Sequence, residues 1–402
     1  MNNILFLSSN ATTPQASVSG TAMISLALMK SFAAAGWTVG FCGFVKSDKW
    51  QAENATLVGA ETSVARQLGQ VWYAKRTSSE ENAREFRMIA NEYKPDIVYC
   101  FGYEAANIAN RARGDYKIVA TFYDPPYVSS LYKRWTELRY GDIKAKLNVL
   151  RRMLDTYRRW RLHFTAELPA LRAADVLISH SYNHGLLYQS RLKRPLLYFP
   201  NPLEEMPELT RHVNRDSSTF LLAGSLASTV SLTGMYFFAH EVLPNIVDDL
   251  RAGRMHIHVV GGGKLSQDLV FMKSVPNIKF LGFVSHDDLL KKYAHATALL
   301  VPTPIRLGFR TRIMDSFRYR LPTIVHTANQ AGFKELEHRA NTLMATTGTA
   351  FAAAMRELMS DQALGEKISE KAYEQFRTRF SAEIYRDFVI KACKQAPREF
   401  LK

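Results

Sequence analysis

Two arginines, Arg310 and Arg312, stand at what reads as the start of a helix in the segment from Pro302 to Val325. An apolar run ends at Val301, a loop carries Gly308, and helical spacing begins near Phe309. The N-terminus of a helix is already the positive end of its dipole, so two cations there repel it unless an anion is bound. A diphosphate would relieve that repulsion through charge-assisted, bidentate contacts. Asp315 follows five residues after Arg310 and can accept hydrogen bonds from ribose hydroxyls. The competing account is a solvated basic helix start that Arg318 and Arg320 merely extend.

Three glycine features in the same half, Ala223-Gly224-Ser225, Gly261-Gly262-Gly263 and Gly282-Phe283-Val284, each fall where an apolar run ends. In open α/β sheets ligands bind beyond the carboxyl ends of strands, so all three can face one crevice. Glycine lets backbone come close to a ligand, and amides opening the next helix can hold phosphate. Each feature alone is as compatible with a plain turn.

The elements that must position these residues alternate in type. Runs at Ile4 to Leu7, Thr38 to Phe44, Asp96 to Phe101, Lys117 to Phe122, Val176 to Ser179 and Leu196 to Phe199 predict strands, with helices between them. Gly20 to Ala35 reads as a helix faced by Ile24, Leu28 and Phe32 and stopped by Gly36. After the Pro- and acid-rich Phe199 to Glu208, strands resume at Thr219 to Ala223, His256 to Val260, Ile278 to Leu281, Ala298 to Val301 and Thr323 to Val325. This predicts two α/β domains with mainly parallel sheets: 1–203 with a basic helical insertion at about 130–166, a linker at 204–218, and 219–378. A last helix, 379–402, is expected to return to the first domain. A length of 402 residues suits two such domains, each of about 200 residues.

Bulk chemistry narrows the partners. With 52 Lys+Arg against 37 Asp+Glu the chain carries +15, which favours an anionic partner. Three separated cysteines, with no CxxC pair, argue against a zinc site or a disulfide framework and for a reducing compartment. No run reaches the roughly 20 apolar residues that span a bilayer, and the opening MNNILFLSSN reads as a buried strand rather than a leader. The expectation is a cytoplasmic protein. His184, His286 and His326 are read as structural or exposed rather than catalytic.

Leu307-Gly308-Phe309-Arg310, Asp315-Ser316 and Leu321-Pro322 resemble the donor-binding segment of the retaining GT-B glycosyltransferases related to glycosyltransferase family 4, the glycosyl transferases group 1. Gly308 to Ser316 is similar to the Gly-Thr-Arg-x-Lys-x-Leu-Glu-Ala of a bacterial surface-glycan subgroup. The resemblance implies two Rossmann-like domains facing across a cleft and a nucleoside-diphosphate sugar as donor, with no metal or other cofactor. It implies that Arg310, Arg312, Gly224 and Ser225 hold the donor diphosphate, Asp315 the ribose, and Phe283 and Val284 the base. Ser19 and Gly20 resemble the family's acceptor-side loop, and Tyr123 and Asp124 stand where relatives carry a catalytic His-Asp or Asp loop. Asp124 before Pro125-Pro126 is equally suited to a turn. The sequence departs from the family where Leu307 replaces the first acid, Asp315 replaces a Glu, and no Lys follows Gly224-Ser225.

The implied reaction moves a sugar to a hydroxyl of a glycan or lipid-linked acceptor, in bacterial surface polysaccharide or glycoconjugate assembly. From Tyr132 to Arg161 ten Lys or Arg face three acids. Arg151, Arg152, Arg158, Arg159 and Trp160 there suit an anionic membrane surface, which predicts a peripheral enzyme on the inner face of the cell membrane. The alternative for this segment is a helical hairpin with solvated charges. Nucleic acid is not expected, since no recognised motif accompanies the charge. The other readings are a noncatalytic nucleotide-binding or membrane-partner protein of the same fold, and a nucleotide-sugar epimerase.

Overall fold

Each apolar run named above folds as a parallel strand in a computed structural model, which describes residues 2–8, 20–45, 70–75, 79–122, 124–125, 127–141, 143–205, 218–226 and 228–395. In chain order come β1 (Asn3–Ser8), α1 (Gly20–Ala34), β2 (Thr38–Val45), β3 (Gln70–Lys75), α2 (Ser79–Tyr93), β4 (Ile97–Phe101), α3 (Tyr103–Arg111) and β5 (Lys117–Phe122). Two helices follow, α4 (Val128–Tyr140) and α5 (Ile143–Ala173), then β6 (Val176–Ser179), α6 (Tyr182–Leu192) and β7 (Leu197–Tyr198). The later elements are β8 (Thr219–Ala223), α7 (Thr229–Phe237), α8 (Val247–Arg251), β9 (His256–Val260), β10 (Ile278–Gly282), α9 (His286–His295) and β11 (Ala298–Val301). Then come α10 (Thr311–Arg318), β12 (Thr323–His326), β13 (Leu343–Ala345), α11 (Gly348–Ser360), α12 (Gln362–Gln375) and α13 (Ala382–Lys394). β3 and β13 were not among the expected strands.

The described chain divides into two compact units. The first gathers Met1–Tyr123, Leu162–Glu204 and Arg379–Lys402. Its seven strands are parallel in the order β3-β2-β1-β4-β5-β6-β7. Ile4, Leu5, Phe6 and Leu7 are all fully buried, the pattern of a parallel strand covered on both faces. α1 ends where Gly36 takes φ +78°, a left-handed turn that costs glycine little. α13 is sewn into this unit by Tyr385, fully buried, whose hydroxyl lies 2.7 Å from that of Tyr99. The Phe199 ring packs 4.7 Å from Tyr385.

The second unit is Asp124–Arg161 with Glu205–Thr378. Its six strands are parallel in the order β10-β9-β8-β11-β12-β13, around a core that includes Phe220, Phe238, Ile257, Leu300, Ile324 and Phe351. The order runs outward in both directions from β8 and β11, so a crevice opens beyond their carboxyl ends, as at the switch point of a Rossmann sheet.

The basic segment differs from its expected place. Instead of being an insertion of the first domain at about 130–166, Asp124–Arg161 packs with the second unit. The cause is an apolar stripe on α4: Val128, Tyr132 and Trp135, at helical spacing, lie on Val230, Ile305 and Leu307. Polar contacts add to it. Thr136 and Thr233 share a hydrogen bond of 2.9 Å, while Arg139 and Tyr140 donate to Glu241 at 2.6 and 2.9 Å. Of the expected linker 204–218, residues 206–217 lie outside the described residues.

Candidate functional site

The three glycine features meet at the carboxyl edge of the second sheet. Gly224 N donates to Val260 O and Gly261 N to Gly282 O, both at 2.8 Å, and Leu226 N to Gly262 O at 2.9 Å. Gly224 and Gly261 adopt φ +141° and +146°. Internal packing alone requires glycine at both positions. A Cβ on Gly224 would lie 2.7 Å from both Arg312 Nη1 and Ser231 Oγ, and one on Gly261 would collide with the Gly224 carbonyl. Ser225 is exposed at this edge.

Arg312 accounts for that crowding. Its guanidinium donates to Ala223 O at the end of β8 and to Ser231 Oγ on α7 at 2.9 Å. The loop that lacks a lysine therefore receives its cation from α10. Burial pulls the Arg312 pKa below the usual guanidinium range, with Tyr293 opposing.

Arg310 is the N-cap residue of α10 and is 9% exposed. Its Nε and Nη2 are buried and find no hydrogen-bond acceptor among the described residues. Burial lowers its pKa to about 10; Asp124 and Tyr132 favour the charged form and Arg312 opposes it. It remains a cation at neutral pH. An ionised group held in a low-dielectric site with open donors is costly and calls for a counter-charge.

The loop before Arg310 is held by the segment at 124–135. Tyr132 Oη donates to Arg306 O at 3.3 Å, and Ile305 and Leu307 are buried under α4. Gly308 sits at φ +59°, and a Cβ there would lie 2.9 Å from Asp124 Oδ2 and collide with Oδ1. Asp124 thus belongs to the surroundings of Gly308 and Arg310. Sequence reasoning missed this pairing; the available signal was the Val128, Tyr132, Trp135 stripe directly after Asp124.

The other expected residues fall as follows. Asp315 forms an ion pair with Arg318 at 2.9 Å, the two side chains 16% and 4% exposed, so its carboxylate is already engaged. Phe283, 69% exposed, and half-buried Val284 follow β10, with Phe283 beside Gly262. Gly20 opens α1, while Ser19 and Tyr123 lie outside the described residues. On α5, Arg152, Arg158 and Arg159 are exposed, and Arg159 pairs with Asp155 at 3.0 Å. Trp160 is half-buried with its ring 5.5 Å from Tyr157; the Arg151 side chain lies outside the described residues. His184 and His326 are buried, with burial lowering the His326 pKa, and nothing is described of the His286 side chain. Among the described residues no three His, Cys, Asp or Glu cluster as metal ligands, and no helix is long and apolar enough to cross a membrane.

Residues 217–361 match the family model described as Glycosyl transferases group 1. No curated protein sequence matches the chain. Among solved structures, a glycosyltransferase from Rickettsia africae is 14% identical with TM-score 0.64, covering 100% of this chain and 99% of its own. Anabaena HepE in complex with UDP is 14% identical with TM-score 0.63, over 98% and 100% of the two chains. Sucrose-phosphate synthase from Thermosynechococcus elongatus is 16% identical with TM-score 0.66, over 98% and 99%. The fold shared with these proteins is GT-B, two Rossmann-like domains.

Proposed function

We propose, for a chain whose residues 217–361 match the family model described as Glycosyl transferases group 1, the transfer of a sugar from a nucleoside diphosphate to a hydroxyl of a glycan or lipid-linked acceptor. Glycosyl transfer is the activity the family match supports. The observation that carries the donor assignment is Arg310, a buried cation whose Nε and Nη2 have no acceptor at a sheet edge where α/β proteins bind ligands. Structures of HepE hold UDP and UDP-glucose, which makes a nucleotide sugar the natural candidate for the anion that Arg310 takes.

In this reading Arg310 takes the donor diphosphate and Arg312 fixes the Gly224-Ser225 turn around it. The bond from the anomeric carbon to the diphosphate oxygen breaks and its electron pair leaves with the diphosphate, while the acceptor hydroxyl oxygen bonds to that carbon and gives up its proton to the departing diphosphate. A preset cation lowers that barrier because the stabilising charge needs no rearrangement as the bond parts. The two arginines supply the positive charge, so the reaction runs without a metal. By the family resemblance the sugar, a hexose, keeps its anomeric configuration. Exposed Phe283 offers a face for the base. Asp315 reaches the ribose only by sharing its carboxylate with Arg318.

We place the enzyme on the inner face of a bacterial cell membrane, in surface-glycan assembly. Leu154 and Tyr157 are 61% and 46% exposed on α5 and stand among exposed Arg152, Arg158 and Arg159, a combination that suits an anionic interface.

The test is titration with UDP, GDP and dTDP, and nucleotide release from their sugars with lipid-linked acceptor present. Wild type is expected to bind one nucleotide and release it. Arg310→Ala should weaken binding tenfold or more, since a charge-assisted hydrogen bond is worth about 1.5–3 kcal/mol. Binding without release would favour a noncatalytic protein, and unchanged binding in Arg310→Ala would sink the donor-site assignment.

A further inference from the structure

Asp124 puts a carboxylate into the surroundings of the buried arginine that is assigned the donor diphosphate. Its place is fixed: Gly308 leaves open the volume in which a Cβ would lie 2.9 Å from Asp124 Oδ2, and Leu307 beside it is turned into the apolar contact with α4. Among the charged groups acting on Arg310, Asp124 has the largest influence. The carboxylate is exposed, and so within reach of a ligand. A negative group beside an anion-binding arginine lowers anion affinity, and it needs a reason to be there.

The reason lies in what changes during transfer. Before it, the terminal phosphorus carries a sugar, whose hydroxyls donate hydrogen bonds to a carboxylate. After it, the same position holds a free terminal phosphate with a second pKa of about 6, hence one more negative charge at neutral pH. It offers only acceptors to an acceptor. Resting on the donor assignment above, we propose that Asp124 sorts the sugar-bearing donor from the spent nucleoside diphosphate, holding the first and repelling the second. Asp124 is then a specificity residue of the donor side, and it speeds product departure.

This role has a signature that a merely structural one lacks, because the two ligands move in opposite directions. In Asp124→Asn the dissociation constant for the nucleoside diphosphate should fall about three- to tenfold, as expected for removing one like charge from a partly exposed site. That for the matching nucleotide sugar should rise at least threefold. The pairs to titrate are UDP with UDP-glucose, GDP with GDP-mannose, and dTDP with dTDP-glucose, with Asp124→Ala as the second variant. Retained diphosphate binding itself reports a folded site. Parallel weakening of both ligands would mean that Asp124 only positions the Gly308 loop, and unchanged binding of both would mean that it does neither; either result overturns the proposal. If wild type binds no nucleoside diphosphate, the donor assignment fails as well.

Discussion

Gly308 meets two demands that no other residue meets together, a positive φ and the absence of a Cβ where the Asp124 carboxylate lies. Gly308→Ala is therefore expected to cost about 1–3 kcal/mol, from left-handed backbone strain and from displacement of Asp124. The added variant Asp124→Gly should restore part of that loss, and the coupling is read from denaturant unfolding of the four proteins. Additive losses would show that the two residues do not touch. At this scale the sequence was only partly legible. Arg310 could be singled out because a second cation at a positive helix terminus is a local electrostatic conflict. Its Asp124 neighbour could not, because 184 positions separate Asp124 from Gly308 and no periodicity spans that distance. Asp315 shows what spacing leaves out. Its place suggested an acceptor for ribose hydroxyls, and Arg318, one helical turn on, shares that carboxylate.

Among the elements, α5 is the one whose sequence left two readings open. Of the two readings of this helix, the hairpin would bury the stripe through Leu154 and Tyr157, yet Val149, Thr156 and the half-buried Met153 and Trp160 face inward while Leu154 and Tyr157 face out. Helical spacing fixes which residues share a face, but not which of two mixed faces meets the protein. The outward face predicts binding to vesicles. Flotation with anionic phospholipid should carry wild type to the top of the gradient. Arg152→Gln with Arg158→Gln should lower partitioning about thirtyfold, at about 1 kcal/mol for each charge. Equal flotation would leave α5 a solvated helix. The strands were read with more success because most are short apolar runs, interrupted only singly, as by His258 in β9 and Lys279 in β10. β13 is only three residues long, too short to stand out.

At the scale of the whole molecule, one buried acid links stability to pH. Glu167, 5% exposed in the first unit, accepts from Tyr188 Oη, and burial raises its pKa to about 7. The unfolded carboxyl titrates near 4.5, so between that pH and about 7 the folded state holds a proton the unfolded state has lost. Stability from this group is complete at low pH and declines as pH rises, by about 3 kcal/mol at most. Glu167→Gln should remove that slope in urea unfolding at pH 5, 6 and 7.5, and an unchanged slope would place its cause elsewhere. The two-unit plan was readable from alternation and the acid- and Pro-rich break, whereas the regrouping of Asp124–Arg161 depended on three apolar side chains meeting distant partners. α13 carries a further consequence, one of timing. The unit it completes has Tyr99 near its beginning and Tyr385 near its end, with Glu205–Thr378 of the other unit made in between. At about 5–20 residues per second the ribosome needs about 10–35 s for that interval. For that long the first sheet waits without its last helix, so the second unit has the opportunity to fold before the first can close.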